Sequence, residues 1–201
     1  DVSDATTHRK GWYPEYKAHR DKSPEDMQVQ FERIRQVIAA LGIPTFELEG
    51  YEADDIIATI AERLKGEPIE LRIASKDKDL HQILSPKVKL WDPSKGDLLD
   101  DELLRLEKGY GPEQAVEIQT LVGDSTDNIP GAVGVGVKTA VKLIDAYGTA
   151  ENVVANVAAL TPKLRENLLI HAEQMDLTRR LVTLDRDAPF GWWPAIAIAL
   201  V

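Results

Sequence analysis

The sequence predicts an α/β fold with a parallel sheet flanked by helices, followed by a helical carboxyl-terminal part. Two observations support this prediction. Strand-like and helix-like segments alternate between residues 23 and 91, and a strand-helix-strand order implies parallel strands. Beyond Asp100 the apolar residues recur with helical spacing only, which indicates a run of helices.

The first predicted helix begins at Ser23 and ends at Gly42. Serine is a favoured N-cap, proline fits the first helical position, and acidic residues follow in the first turn. One apolar stripe runs along this helix through Met27, Phe31, Ile34, Ile38 and Leu41.

The remaining elements follow from periodicity and turn composition. Residues 45–48 are predicted as a strand, 52–65 as a helix, and 70–74 and 88–91 as two further strands, with a turn at 92–96. The predicted carboxyl-terminal helices are 101–108, 112–122, 137–146, 150–159 and a long one at 162–184.

Composition limits the class of protein. A chain of 201 residues with 43% hydrophobic and 29% charged residues can bury a core as one domain, with or without a small appendage. Because there is no cysteine, disulfides and thiolate metal sites are excluded, and we expect a cytoplasmic protein. No apolar stretch approaches the ~20 residues of a membrane span, so no membrane partner is expected.

The net charge of −10 argues against a nucleic-acid partner at first sight, because such proteins usually carry a basic excess. The acidity is largely local, however. Setting aside the 8 acids that are candidate metal ligands leaves 26 acids against 24 Lys and Arg, or about −2. Basic residues cluster at Arg9, Lys10, Lys17, Arg20 and Lys22, and again at Lys138 and Lys142, so a polyanion partner stays possible.

The sequence contains three acidic clusters. Two follow predicted strands, at the carboxyl ends of which ligands collect in an open α/β sheet, and the third lies in a later loop. They contain Glu52, Asp54 and Asp55, then Asp77 and Asp79, then Asp124 and Asp127. Crowded carboxylates repel one another unless a cation lies among them, and Mg²⁺ or Mn²⁺ suits all-oxygen ligands. The alternative is that these acids are ordinary helix caps and dipole partners.

A glycine-rich segment, residues 128–140, leads into the predicted helix at 137. Its glycines uncover backbone amides and carbonyls, and a helix N-terminus entered through such a loop suits a phosphate. The spacing is not that of a Walker loop. Lys138 and Lys142 favour a contact with a DNA backbone, whereas the alternative is a purely structural turn between helices.

Four motifs carry a specific resemblance. YPEYKAHR (13–20), GYEADD (50–55), DKDLHQ (77–82) and GDSTDNIPG (123–131), in that order, closely resemble the 5'-nuclease domain of bacterial DNA polymerase I, within the flap-endonuclease superfamily. The resemblance runs from about residue 9 to 187. It implies a PIN-like nuclease core at 1–100 with a helical arch near 9–35. It also implies a helical DNA-binding part at 101–190 that contains a helix-three-turn-helix element near 115–147. No role follows for the tail at 191–201.

The resemblance also implies site residues. Two or more Mg²⁺ or Mn²⁺ ions would bind Glu52, Asp54, Asp55, Asp77, Asp79, Asp124 and Asp127, with Asp1 as a further candidate. Lys17 and Arg20 would contact the reacting phosphate as catalytic residues. DNA would contact Arg9, Tyr16 (by stacking), Lys78, Gly131, Gly134, Gly136, Lys138 and Thr139, and a potassium ion would lie against the loop 131–136.

Three of these assignments have open alternatives. Tyr16 is equally interpretable as a core residue, Lys17 and Arg20 as a solvated face, and Lys78 as a group that balances the charge of its acidic neighbours.

The chain also departs from the family pattern. Family members begin with a strand that bears an aspartate, and this strand is missing here, so we expect a fragment that lacks one principal ligand. In the family, a second strand ends in another aspartate shortly before the arginine. Asp1 could be this aspartate, but it lies one residue further from Arg9 than the family spacing. His8 and Lys76 replace an aromatic and a small residue.

The functional expectation is a metal-dependent, structure-specific 5'-3' exonuclease and flap endonuclease. Its substrates would be DNA with a 5' flap or nick and RNA primer–DNA duplexes, and it would be a monomer fused to a DNA polymerase. One alternative is a duplex-DNA-binding module or inactive fragment without catalysis. Another is a ribonuclease of the broader PIN group.

Overall fold

A computed structural model of the chain describes residues 7–20, 24–189 and 191. The predictions for Asp1, for Ser23 as a helix cap and for the tail beyond residue 191 lie outside these residues. The α-helices are α1 His8–Trp12, α2 Glu25–Ala40, α3 Ala53–Arg63, α4 Asp101–Lys108, α5 Pro112–Val122, α6 Val137–Tyr147, α7 Ala150–Ala155, α8 Pro162–Ala172 and α9 Met175–Val182. Short 3-10 helices span Lys78–Ile83 and Val157–Ala159.

The sheet is small and mixed. Its strands are β1 Leu71–Ala74, β2 Val88–Asp92 and β3 Asp97–Leu99, in the order β1-β2-β3. β1 and β2 are parallel with Leu71 opposite Val88, which confirms the predicted parallel pair. β3 returns antiparallel to β2 through the predicted turn, where the amide of Gly96 donates to the Asp92 carbonyl at 2.8 Å.

Three predicted elements are wrong in type or extent. Residues 45–48 are not a strand, since no described strand lies beside them to complete a ladder. The helix predicted over 162–184 is two helices, because the chain turns at 173–174 and so brings Leu168 of α8 and Met175 of α9 into one core. The helix predicted to end at 159 changes to 3-10 geometry after Ala155. The strand β3 was not predicted.

Three hydrophobic clusters hold the described chain together. The first packs α3, the sheet and the 3-10 helix Lys78–Ile83 around Leu80 and Leu90. The second packs α5 to α9 around Leu121 and Ile144. The third is small and lies between them, joining Tyr16 and Ile129 to α9. The domain division at residue 100 stays a prediction, and Leu104 of α4 packs in the first cluster.

Helix α2 carries the predicted apolar stripe, yet that stripe is exposed. Phe31 is 50% exposed, Ile34 52% and Leu41 69%. The helix therefore contributes little to the described core, and its apolar face does not help to position the acidic clusters. No helix in the described ranges is both long enough and apolar enough to cross a membrane.

Candidate metal centre and active site

Each acidic cluster lies at the start of a helix or in a tight loop. Glu52 is the N-cap of α3 and Asp54 lies in its first turn. Asp77 follows β1 as N-cap of the 3-10 helix, where its Oδ1 accepts from the amide of Asp79 at 3.0 Å. Free backbone amides at these positions favour negative side chains, which explains how the local fold tolerates them.

The third cluster is in the loop after α5. Asp124 and Ile129 exchange backbone hydrogen bonds of 2.9 and 2.7 Å. These bonds close the six-residue loop 124–129, which contains Asp127. Asn128 in this loop has a left-handed φ of 57°, and its side-chain amide donates to the Glu15 carbonyl at 2.7 Å. The loop is thereby fixed against the segment that carries Tyr16 and Lys17.

The fold brings the three clusters together. Carboxylate oxygens of Asp79, Asp124 and Asp127 lie within 4.8 Å of one another. Asp54 and Asp77 line the same cleft, which has a volume of 220 Å³. Glu52, Asp79 and Asp127 line it too, so residues far apart in sequence form one carboxylate-rich site.

Two carboxyl groups of this cleft have raised pKa values. Burial, followed by repulsion from Asp77, Asp79 and Glu52, raises the pKa of Asp54 to about 6. Burial also raises the pKa of Asp79, although Lys78 opposes this. Such shifts are expected where several carboxylates share a partly buried site, and a hard divalent cation with oxygen ligands would relieve the repulsion. The residues present therefore fit a divalent metal centre.

Two basic residues of the YPEYKAHR segment reach the acidic cleft. Lys17 is buried and its Nζ donates to Glu52 Oε1 at 2.8 Å and lies 3.7 Å from Asp127 Oδ2. Arg20 is 39% exposed at its side chain and donates to Asp127 Oδ1 at 2.5 Å. For Lys17 the solvated-face alternative is wrong. Its backbone has a left-handed φ of 54°, which is strained for a residue with a side chain.

Lys78 bridges two of the clusters. Its Nζ donates to Asp79 Oδ1 at 3.3 Å and to Asp124 Oδ2. Although burial opposes it, the hydrogen bond from Lys78 lowers the pKa of Asp124. The contacts of Lys78 agree with the interpretation that it balances the charge of its acidic neighbours. Its side chain is half-exposed, and a contact with DNA stays a prediction.

Arg9 and Asp55 are corrections to the predicted site. Asp55 is fully buried and accepts from Arg9 at 2.7 Å on each oxygen, from the amide of Glu52 at 3.1 Å and from the amide of Asp185 at 2.9 Å. All its lone pairs are used, so it has none for a metal. Arg9 is 1% exposed and also donates to the carbonyls of Leu181 and Thr183, so its guanidinium is already engaged within the protein. The sequence contained a signal for the structural role of Asp55. Glu52 and Asp55 have the N-cap to N3 spacing of a capping box.

Tyr16 is the third correction. It is 2% exposed, and its hydroxyl donates to Glu52 Oε2 at 3.0 Å. Burial, with the nearby carboxylates of Glu52 and Asp127, raises its pKa. The core alternative is therefore right, and stacking on a DNA base is wrong, because the ring is covered by the third cluster.

Gln119 is a site residue that the sequence analysis missed. Its side-chain amide donates to Asp79 Oδ1 from the middle of α5. No motif surrounds it, and a glutamine at a buried helical position has no sequence signal of its own.

The glycine-rich loop joins α5 to α6. A Cβ on Gly131 would lie 1.9 Å from the Val122 carbonyl oxygen, so the close approach of two backbone segments requires glycine there. Gly134 has a left-handed φ of 77°, and Gly136 is the N-cap of α6. Lys138 is exposed in the first turn and Thr139 is half-buried. The structural alternative thus accounts for Gly131, and the DNA contact stays a prediction.

Comparison with protein families gives two adjoining matches. The family model described as 5'-3' exonuclease, N-terminal resolvase-like domain, matches residues 1–111. The model described as 5'-3' exonuclease, C-terminal SAM fold, matches residues 110–195. Together they agree with a mixed α/β part followed by a helical part.

Curated relatives and solved structures agree. The chain is 43% identical over 190 residues to DNA polymerase I of Bacillus caldotenax, covering 92% of this chain and 22% of that protein. It is 39% identical over 178 residues to the thermostable DNA polymerase I of Thermus thermophilus, covering 88% and 21%. The chain thus spans about a fifth of the length of these relatives.

Two solved structures share the fold. T5 5'-exonuclease with bound divalent metal ions (zinc) has a TM-score of 0.77 and 23% identity, covering 90% of this chain and 72% of that one. The catalytic core of Rad2 in complex with DNA substrate has a TM-score of 0.54 and 16% identity, covering 96% and 66%. With the first family model matching more than half of the sequence, the resemblance seen in the four motifs is confirmed, and this chain belongs to the 5'-3' exonuclease family.

Proposed function

We propose that this chain is a metal-dependent 5'-3' exonuclease and flap endonuclease that hydrolyses phosphodiesters in DNA with a 5' flap or nick, and in RNA primers paired to DNA. One observation carries this proposal: Asp54, Asp77, Asp79 and Asp127 line one cleft, and Asp124 lies beside Asp79 and Asp127. Carboxylates with raised pKa values in a cleft are typical of functional sites.

The metal-binding part of the proposal assigns the ligands. Asp79, Asp124 and Asp127 would hold one Mg²⁺ or Mn²⁺, and Glu52, Asp54 and Asp77 a second. When bound, such ions supply charge neutralisation and an activated water for displacement at phosphorus. Asp55 is not among these ligands, since Arg9 occupies both of its oxygens.

The cationic part of the proposal assigns the catalytic residues Lys17 and Arg20. Both ammonium and guanidinium groups are held at the cleft by carboxylates, so positive charge is in place before a phosphate arrives. Preorganised charge of this kind stabilises charge that develops on a reacting phosphate. The helical arch over this cleft, formed by residues 9–35, belongs to the same proposal.

The DNA-binding part of the proposal uses α5, the glycine loop and α6 as a helix-three-turn-helix element. Lys138 and Thr139 at the start of α6 would contact the DNA backbone, which fixes position without reading sequence. Backbone carbonyls of the loop 131–136 would take a potassium ion. Fusion to a polymerase is supported by the relatives, which are DNA polymerases. A monomeric state and a cytoplasmic location stay predictions.

Cleavage of a labelled 5'-flap duplex tests this function. The chain and its Asp79→Asn variant would be incubated with Mg²⁺ or with EDTA, alongside Glu107→Gln, which changes an exposed acid on α4. We expect cleavage near the junction with Mg²⁺ only, abolished in Asp79→Asn and retained in the control. Tight binding without cleavage in Mg²⁺ would instead support the non-catalytic duplex-binding alternative.

A further inference from the structure

Gln119 combines burial, contact with the acidic cluster and an unused acceptor. Only 9% of the residue is exposed. Its Nε2 donates to Asp79 Oδ1, one of the three clustered carboxylates. Its Oε1 is buried and has no hydrogen-bond partner among the described residues.

The amide orientation follows from chemistry. A carboxylate that is ionised only accepts hydrogen bonds, so the NH₂ group of Gln119 must face Asp79 and Oε1 must point away from it. Leaving a buried acceptor unpaired costs about 1–3 kcal/mol, and such groups in native proteins call for a partner. Both heteroatoms share one carbon, so the orientation that pairs Nε2 with Asp79 also fixes the direction of Oε1.

The backbone around Gln119 is rigid. Its own carbonyl accepts from the amide of Gly123 at 2.7 Å, which ends α5 immediately before Asp124. α5 packs on the 3-10 helix that carries Asp79. Helix α5 therefore fixes the position of Gln119 relative to both Asp79 and Asp124. A residue that orients a metal ligand needs such a rigid position.

We propose that Gln119 is a positioning residue for a hydrated divalent cation at Asp79, Asp124 and Asp127. Its Nε2 donates to Asp79 Oδ1 and so fixes the orientation of that carboxylate as a ligand. This inference rests on the proposed metal-dependent function and adds a residue that no motif of the sequence indicates.

Binding of Mn²⁺ to the full chain tests the inference. Dissociation constants would be measured by calorimetry for the wild type, Gln119→Leu and Gln119→Met, with Gln36→Leu as a matched change at an exposed helical position. We expect both Gln119 variants to bind Mn²⁺ about 10–100-fold more weakly, the usual effect of losing such a partner. The control should bind as the wild type does.

A second readout separates positioning from folding. In EDTA the thermal midpoints of the Gln119 variants should equal or exceed that of the wild type, since an unpaired buried acceptor is removed. Wild-type affinity for Mn²⁺ in a folded Gln119 variant would overturn the inference alone, whereas a wild type that binds no Mn²⁺ would overturn the proposed function.

Discussion

Asp54 and Asp55 are neighbours in the sequence but have opposite electrostatic environments. Although burial opposes it, the guanidinium of Arg9 holds the pKa of Asp55 below its ordinary value. Among the described residues no guanidinium pairs with Asp54 in this way, and burial with nearby acids raises its pKa to about 6. The helix turn separates them, since residues one apart point to different faces. Asp55 thus stabilises the fold, whereas Asp54, a proposed metal ligand, carries a cost in stability when no cation is bound.

Removing Asp55 is expected to destabilise the protein strongly. Asp55→Asn removes the carboxylate that pairs with Arg9 at 2.7 Å and leaves only Glu52, at 3.6 Å, as a described counter-charge. Breaking a buried pair costs about 3–5 kcal/mol in comparable proteins. Urea unfolding followed by circular dichroism measures this loss. The double variant Arg9→Met with Asp55→Leu should recover much of it, because two apolar groups replace the pair. A single variant as stable as the wild type would contradict the structural role.

Asp54→Asn is expected to stabilise the metal-free protein in a pH-dependent way. A folded pKa of about 6 lies above the ordinary value of 3.8, so the folded state holds this proton more tightly than the unfolded state. That contribution is present below about pH 4 and is lost as pH rises to 6, a difference of about 3 kcal/mol at most. Unfolding in EDTA should therefore show Asp54→Asn above the wild type at pH 8 and equal to it near pH 3.5.

The exposed Glu107→Gln variant is the control, for which no such pH-dependent gain is expected. Equal stability of Asp54→Asn and the wild type at pH 8 would mean that the charge in the cleft is already compensated.

At the scale of elements, helix starts that depend on neighbouring residues were predicted correctly, whereas features that depend on distant residues were not. Glu52 before α3 and Pro112 at the start of α5 are recognisable from neighbouring residues alone. The segment 45–48 has strand composition, yet strand formation needs a pairing partner that composition does not reveal. The break between α8 and α9 likewise depends on which core the two helices share.

The glycine loop offers a matched pair of substitutions. Gly131→Ala forces a methyl group into the Val122 carbonyl, and backbone cannot move aside as a side chain can. We expect a loss of about 3 kcal/mol or more, the upper range for overpacking. Gly136→Ala meets open space and changes only an N-cap, so its cost should stay below about 1 kcal/mol. Thermal unfolding of both variants tests this, and equal effects would contradict the close approach.

Helix α6 allows a test of DNA binding apart from stability. Lys138→Ala removes one exposed charge at the proposed contact with the DNA backbone, so affinity for a duplex of any sequence should fall. The slope of log affinity against log salt concentration should also become shallower by about one. Lys163→Ala, an exposed lysine on α8, is the control. Fluorescence anisotropy at several salt concentrations measures both. An unchanged salt slope in Lys138→Ala would remove this residue from the proposed interface.

At the scale of the whole molecule, the site is a junction between parts that are distant in sequence. The motifs indicated which segments supply the acidic residues of the cleft, because each motif is short and the motifs follow one another in order along the chain. They could not predict that Arg9, Tyr16 and Asp55 would turn into the core, since that depends on how α1, α3 and α9 pack together. Gln119 was missed for the same reason: its function comes from the neighbour that packing gives it.

Divalent cations should therefore stabilise the entire fold. The proposed ligands come from α3, the 3-10 helix after β1 and the loop after α5, so a bound ion ties these segments together and favours the folded state. At a free concentration 100-fold above the dissociation constant, Mg²⁺ should add about 2.7 kcal/mol. For a chain of this size the thermal midpoint should rise by about 5–10 °C.

The rise should be present at pH 8 and fade as pH falls below about 6, because protonation of Asp54 and Asp79 competes with metal binding. Asp79→Asn should abolish it, and NaCl at equal ionic strength should not reproduce it. Calorimetry with and without Mg²⁺ at the two pH values decides the matter. A rise that NaCl reproduces would reflect general screening of the −10 charge, and the acidic cleft would then be no more than a tolerated cluster of helix-capping carboxylates.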